Sequence, residues 1–183
     1  MRPGGFIFLS AHDRMFIERS PFVVLATCGP DGLDCSPRGD APGFLRVHDD
    51  KTLLIPDRPG NNRIDSLRNI AAKRRAAVLF LIPGVGETLR AIGDTVVSAD
   101  PDLARTFAVN GKVPRTVIAI AVRSVFFQCS KAIVRSRLWD EEAKIDRWSL
   151  ASVGTILAEL SNCQFGGEAY DRELASRTKT RLY

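Results

Sequence analysis

The stretch that most limits how this chain folds runs from Pro21 to Gly39. PFVVLATC (21–28) is β-branched and aromatic, GPDG (29–32) is turn chemistry, and LDCSPRG (33–39) returns as a partner strand. Strands joined by so short a turn run antiparallel, whereas a doubly wound parallel sheet needs a crossover at every step. AAVLFLI (76–82) is too apolar to face water on either side and belongs in the middle of a sheet. VIAIAVRSVFFQC (117–129) is the longest strand candidate and is apolar on both faces for much of its length. Short strands are predicted at 44–47 and 52–55, and a long one at 88–99 with a bulge or bend at Gly93-Asp94. Helical patterns occupy 11–19, 61–70, about 101–107 behind an Asp100 cap and Pro101, and then roughly 149–161 and 168–181. The fold class is therefore α+β, an antiparallel barrel core with peripheral helices. A single domain over 1–183 is expected, with a helical C-terminal extension at about 145–183.

The hydrophobic fraction of 45% and charged fraction of 26% are those of an ordinary globular protein. A net charge of +5 raises the question of nucleic acid, but the basic residues are scattered and interrupted by acids. The densest run, Lys73-Arg74-Arg75, follows a predicted helix, where cations suit the C-terminus. A small anionic ligand is the better expectation. The four cysteines form no CxxC pair and no zinc-type spacing, so metal is not expected. Cys28 and Cys35 read as small buried residues on the hairpin. No run approaches the roughly 18 apolar residues of a membrane helix, and the Phe6–Leu9 run is too short for a signal peptide; a soluble cytoplasmic setting is expected.

Conventional chemistry is poorly represented. Gly84-Val85-Gly86 lacks the third glycine of a dinucleotide fingerprint, and neither a Walker-type loop nor a GxSxG elbow occurs. His12 and His48 are poorly placed for a triad or a metal set. What remains is cationic and polar side chains at strand and helix ends. In IPDRPGNNRIDSLRNI (55–70), Asn61 reads as a helix cap, with Ile64, Leu67 and Ile70 at helical spacing. Arg58 and Arg63 then sit at the positive end of a helix dipole, which is unfavourable unless an anion lies between them. Asp57 precedes them and Asp65 offsets part of their charge. Ser36 and Arg38 end the second strand, while Gln128, Lys131, Arg135, Ser136, Arg137 and Trp139 follow the longest one. An aromatic ring with a phosphate tail suits such a mixture, the cations taking the tail and the barrel wall the ring. The residues alone leave that ligand's identity open.

The order hairpin, SPRG strand end, strand–DRPGNNR–helix and apolar strand resembles the pyridoxamine 5'-phosphate oxidase-like family of FMN-binding split barrels. FFQCSKAIVRSRLWD (126–140) looks like the flavoprotein branch of that family, and the likeness covers roughly 11–145. It implies that Asn62 and Arg63 hold the FMN phosphate with Asp57 and Arg58 close by, and that Ser36 and Arg38 run beside the flavin. It also implies a homodimer with FMN at the subunit interface, where Gln128, Lys131, Arg137 and Trp139 come from the partner to cover the ring. Arg137-Leu138-Trp139 stands where pyridoxamine 5'-phosphate oxidases carry Arg-Leu-His, so pyridoxamine phosphate is not the expected substrate. The expected function is an FMN-dependent oxidoreductase acting on an unidentified small molecule, with Arg137 and Trp139 toward the substrate. A non-catalytic flavin, haem or deazaflavin binding protein is the alternative, and a barrel that binds nucleic acid or protein is a third.

Overall fold

The hairpin forms as its turn chemistry dictates: β1 (Phe22–Gly29) pairs with β2 (Gly32–Gly39) in register from Phe22↔Gly39 to Gly29↔Gly32. The computed structural model describes residues 6–60, 63–180 and 183. Asn61 and Asn62, and with them the predicted cap and a predicted phosphate contact, lie outside the described residues. Around the hairpin are β3 (Arg46–Val47), β4 (Thr52–Pro56), β5 (Arg75–Leu81), β6 (Thr88–Ser98) and β7 (Val117–Gln128). The seven strands form one antiparallel sheet in the order β2-β1-β5-β6-β7-β4-β3, a split barrel. The apolar β5 segment lies inside the sheet, as predicted.

Side-chain alternation sorts the core. Val23 and Leu25 of β1, Val78 and Phe80 of β5, Leu89 and Ala91 of β6, and Ile118 and Ile120 of β7 are fully buried together. The predicted irregularity is a β-bulge where the β6–β7 register shifts between Ile92 and Gly93. Space, rather than backbone conformation, requires glycine at 93, since a Cβ there would lie 2.2 Å from the Ala121 carbonyl oxygen. Helix α1 (Ala11–Arg19) starts with a capping box in which the Ser10 hydroxyl accepts the Asp13 N–H and the Asp13 carboxylate accepts the Ser10 N–H. Helix α3 (Pro101–Arg105) has the anticipated Asp100 cap and packs Ala104, with nearby Phe107, against Leu54 and Val117.

Helix α2 (Asp65–Lys73) begins three residues later than the Asn61 cap predicted. Ile64 occupies the cap position and supplies no side-chain cap hydrogen bond. Buried Ile70 anchors α2 to the core, and the Asn69 amide donates to Thr27 Oγ1 of β1 at 3.1 Å. The short helix α4 (Lys131–Ser136) follows β7 and ends at Arg137 in the left-handed region, φ 51°.

The chain divides into two compact units, Met1–Trp139 and Asp140–Tyr183. The second carries two 3₁₀ turns, Glu141–Ala143 and Arg147–Ser149, then α5 (Val153–Leu160) and α6 (Gly167–Thr180). The Asp171 carboxylate accepts the Gly154 N–H at 2.8 Å and the Ser152 hydroxyl, and these bonds hold its pKa below the ordinary carboxylate value. No helix among the described residues is long and apolar enough to cross a membrane.

Candidate functional site

Strand β2 lies at a sheet edge, and its pleat puts Asp34, Ser36 and Arg38 on one face at i, i+2 and i+4. All three are half-buried. They converge on Ser66, the second residue of α2. The Ser66 hydroxyl donates to Asp34 Oδ2 at 2.8 Å and lies 3.0 Å from Ser36 Oγ. The Arg38 guanidinium donates to Ser36 Oγ at 3.0 Å, to Ser66 Oγ at 3.3 Å and to the Pro37 carbonyl at 2.9 Å. Planar donors fixed in this way keep their geometry when an anion arrives.

This cluster borders a cavity of about 460 Å³, whose lining also includes Cys35, Gly60, Arg63 and Asp65. At its edge is the uncapped start of α2, whose cap residue supplies no side-chain hydrogen bond to the first N–H groups. Arg63 donates to Asp65 Oδ2 at 2.8 Å, with three-quarters of its own side chain exposed. The structure therefore brings Ser36, Arg38 and Arg63 together. Ser66 and Asp34 were missed from sequence, although the alternation of Asp34, Ser36 and Arg38 was a readable signal.

Arg58 faces elsewhere. It donates through Nε to Asp40 Oδ2 at 2.9 Å and through Nη1 to the Phe107 carbonyl at 2.8 Å, and the two side chains are only 12% and 5% exposed. It does not line the cavity. Removing one member of so buried a pair strands the other charge, so Asp40→Ala is expected to lower unfolding free energy by about 3 kcal/mol in denaturant titration.

Asp57 follows β4, its N–H bonded to the Thr116 carbonyl at 3.0 Å and its carboxylate at 3.4 Å from the Thr116 hydroxyl. Burial pushes its pKa above the ordinary value of 3.8, against the opposing pull of the Arg38 charge and the Thr116 hydroxyl. As pH rises, the unfolded chain loses this proton first. Stability therefore falls between the ordinary value and the raised one, and the full loss is present above it. Asp57→Asn is expected to flatten that part of the stability–pH curve, as measured by denaturant unfolding from the carboxylate range up to neutrality.

The other predicted contacts form a separate group after β7. Gln128 accepts from the Thr88 hydroxyl at 3.3 Å, Lys131 opens α4, Arg137 ends it, and Trp139 donates to the Val85 carbonyl at 2.8 Å. None of them lines the β2–α2 cavity. Cys28 is half-buried and Cys35 exposed, which corrects the expectation of two buried residues: Cys35 lies on edge strand β2, on the exposed face opposite Asp34, Ser36 and Arg38. The described residues contain no group of three His, Cys, Asp or Glu side chains that could hold a metal ion.

No curated protein sequence matches the chain. Among solved structures, HupZ of Group A Streptococcus is similar at TM-score 0.54 and 17% identity, over 66% of this chain and 94% of that one. A variant of the same streptococcal protein gives TM-score 0.53 at 18% identity over 66% and 99%. A candidate pyridoxamine 5'-phosphate oxidase from Lactobacillus delbrueckii gives 0.50 at 20% identity over 66% and 95%. At such identities the likeness is one of fold. The family profile described as pyridoxamine 5'-phosphate oxidase matches residues 9–129, which include every strand of the barrel and the whole β2–α2 cavity. On that match over most of its length, the chain belongs to the pyridoxamine 5'-phosphate oxidase family.

Proposed function

We propose that the chain binds FMN in the β2–α2 cavity and acts as an FMN-dependent oxidoreductase on a small molecule. The observation that carries this reading is Arg38, locked by two serine hydroxyls beside an uncapped helix start in a cavity within the matched region. The donor set fits a phosphate: the Arg38 guanidinium, the Ser36 hydroxyl, helix N–H groups and Arg63, with Asn62 adjoining in sequence. Asp34 keeps its negative charge while accepting the Ser66 hydroxyl, and within the cavity Arg38 and Arg63 offset the charges of Asp34 and Asp65. When bound, FMN supplies the electron-transfer chemistry of its ring. The residues of this chain grip the phosphate, orient the ring and exclude water from it.

The same reading makes the working unit a homodimer, with Gln128, Lys131, Arg137 and Trp139 of one subunit covering the flavin of the other. Support comes from the outer sheet face. Cross-strand register places Val24, Ala26, Ala77, Leu79, Ile92 and Phe126 side by side, all only half-buried in the protomer. Arg90 lies among them, stacked over Phe126 at 4.4 Å, with its buried Nε lacking a hydrogen-bond acceptor. An apolar face containing an unsatisfied donor is suited to cover by a second copy.

The test is the visible spectrum of the purified protein, with mass spectrometry of what acid releases and sedimentation for mass. Flavin bands, released FMN and a dimer are expected. A colourless protein that takes up no added FMN would overturn the proposal.

A further inference from the structure

A second cavity, of about 480 Å³, shares no residue with the first. Lys73, Arg74 and Arg75 border it where α2 passes into β5, and Val96, Ala119 and Ala121 line it from β6 and β7. Its charge is unbalanced. Arg75 and Arg123 both pair with the one carboxylate of Asp94, while Lys73 and Arg74 make no ion pair or side-chain hydrogen bond among the described residues. The dipole of α2 accounts for part of this, since cations suit a helix C-terminus. Yet two carbonyls at that end are already satisfied, Ile70 by the Arg74 N–H at 2.8 Å and Arg74 by the Thr95 N–H at 2.9 Å. Arg74 also has φ 49°, where glycine is the usual helix-ending residue.

The cavity wall is of the opposite character. Val96 is half exposed, and alternation along β7 puts the small side chains of Ala119 and Ala121 on one face with it, giving a flat apolar surface. A ligand that satisfies both halves has several negative charges and a flat, weakly polar body. We infer that this cavity binds a nucleoside di- or triphosphate, with the phosphates at Lys73, Arg74 and Arg75 and the base on Val96, Ala119 and Ala121. Binding is non-covalent; the cavity shares no residue with the flavin cavity, and its Arg75 and Asp94 adjoin Ala77 and Ile92 on the same outer sheet face.

The experiment is equilibrium dialysis of the full chain, with any bound flavin retained, against ATP, ADP, AMP, adenosine and inorganic tripolyphosphate. Saturable ATP binding is expected, weakening with each phosphate removed, at least tenfold weaker for adenosine than for ADP, and weaker for tripolyphosphate than for ATP. Lys73→Gln combined with Arg74→Gly is expected to weaken ATP at least tenfold. Arg74→Gly alone is expected to raise Tm by about 2 °C while weakening ATP, because glycine relieves the left-handed backbone. Arg38→Ala is expected to leave ATP binding unchanged, so failure at one cavity is distinguishable from failure at the other. The inference is overturned if ATP does not bind saturably below millimolar concentration, if the double variant binds ATP as well as the parent, or if tripolyphosphate matches ATP. Tighter capture of single-stranded oligonucleotide than of ATP would equally overturn it, in favour of a nucleic-acid surface.

Discussion

Replacing Arg38 by alanine is expected to weaken FMN binding by about a hundredfold or more while leaving the fold intact. The size follows from the chemistry of the contact. Each charge-assisted hydrogen bond to a phosphate oxygen is worth about 1.5–3 kcal/mol, so loss of two, about 3–6 kcal/mol, amounts to a factor of about a hundred to tens of thousands. Arg38 also holds Ser36 Oγ and Ser66 Oγ in place, so the variant loses orientation as well as charge. The fold survives because the side chain is on an edge strand and contributes nothing to the apolar core. Flavin fluorescence quenching on titration of apoprotein measures the effect. Arg63→Ala, at an exposed position, is expected to cost only a few-fold, since solvent-screened charges contribute about 0–1 kcal/mol. Equal effects from the two substitutions would show that the phosphate is not held at Ser36, Arg38 and Ser66.

Gly93→Ala has the largest expected effect on stability. An added Cβ would lie 2.2 Å from the Ala121 carbonyl oxygen, 2.8 Å from its carbonyl carbon and 2.7 Å from Ile120 Cγ2. Two of these are backbone atoms, which cannot rotate away. β7 cannot withdraw either, because β4 pairs with it on the other side through Leu53↔Ile120 and Leu54↔Ala119. Overpacking a core with one methyl costs about 1–3 kcal/mol when side chains can yield, and here the backbone must move, so a loss of about 3 kcal/mol or more is expected. Denaturant unfolding measures it, with Gly43→Ala as contrast: nothing lies within 4 Å of that added Cβ, but its φ of 87° strains alanine alone.

The elements legible in the sequence were those whose signals are local. The GPDG turn, the β-branched runs of β1 and β5, the Asp100–Pro101 helix start and the Gly93 bulge all depend on residues within a few positions of one another. The start of α2 was misplaced because Asn61 is a good cap residue, whereas Ile64 offers no capping group; nothing local signals a helix that starts uncapped. Helix α4 was read only as a basic cluster, since six residues are too few for a clear period. The site was half legible. Ser36, Arg38 and Arg63 carry charge or sit at strand ends, which drew attention to them. Ser66 resembles any serine in a first helical turn, and only the packing of α2 against β2 brings it within 2.8 Å of Asp34. The Arg58–Asp40 pair joins positions too far apart in sequence for any pattern to link.

The bulge also acts as a change of reading frame along β7. Ahead of it the even-numbered residues Ile118, Ile120 and Val122 point inward; beyond it the inward position passes to the odd-numbered Val125, and Phe126 faces out opposite Arg90. Gln128 shares that outward face with Phe126 because Arg123 is the one residue inserted between the two frames. Were Arg123 instead paired into the ladder opposite Ile92, a single frame would run through β7: Val125 would face out opposite Arg90 and Phe127 would meet Thr88, with Phe126 and Gln128 turned inward. One inserted residue thus decides which half of the strand's far end is offered to the surroundings.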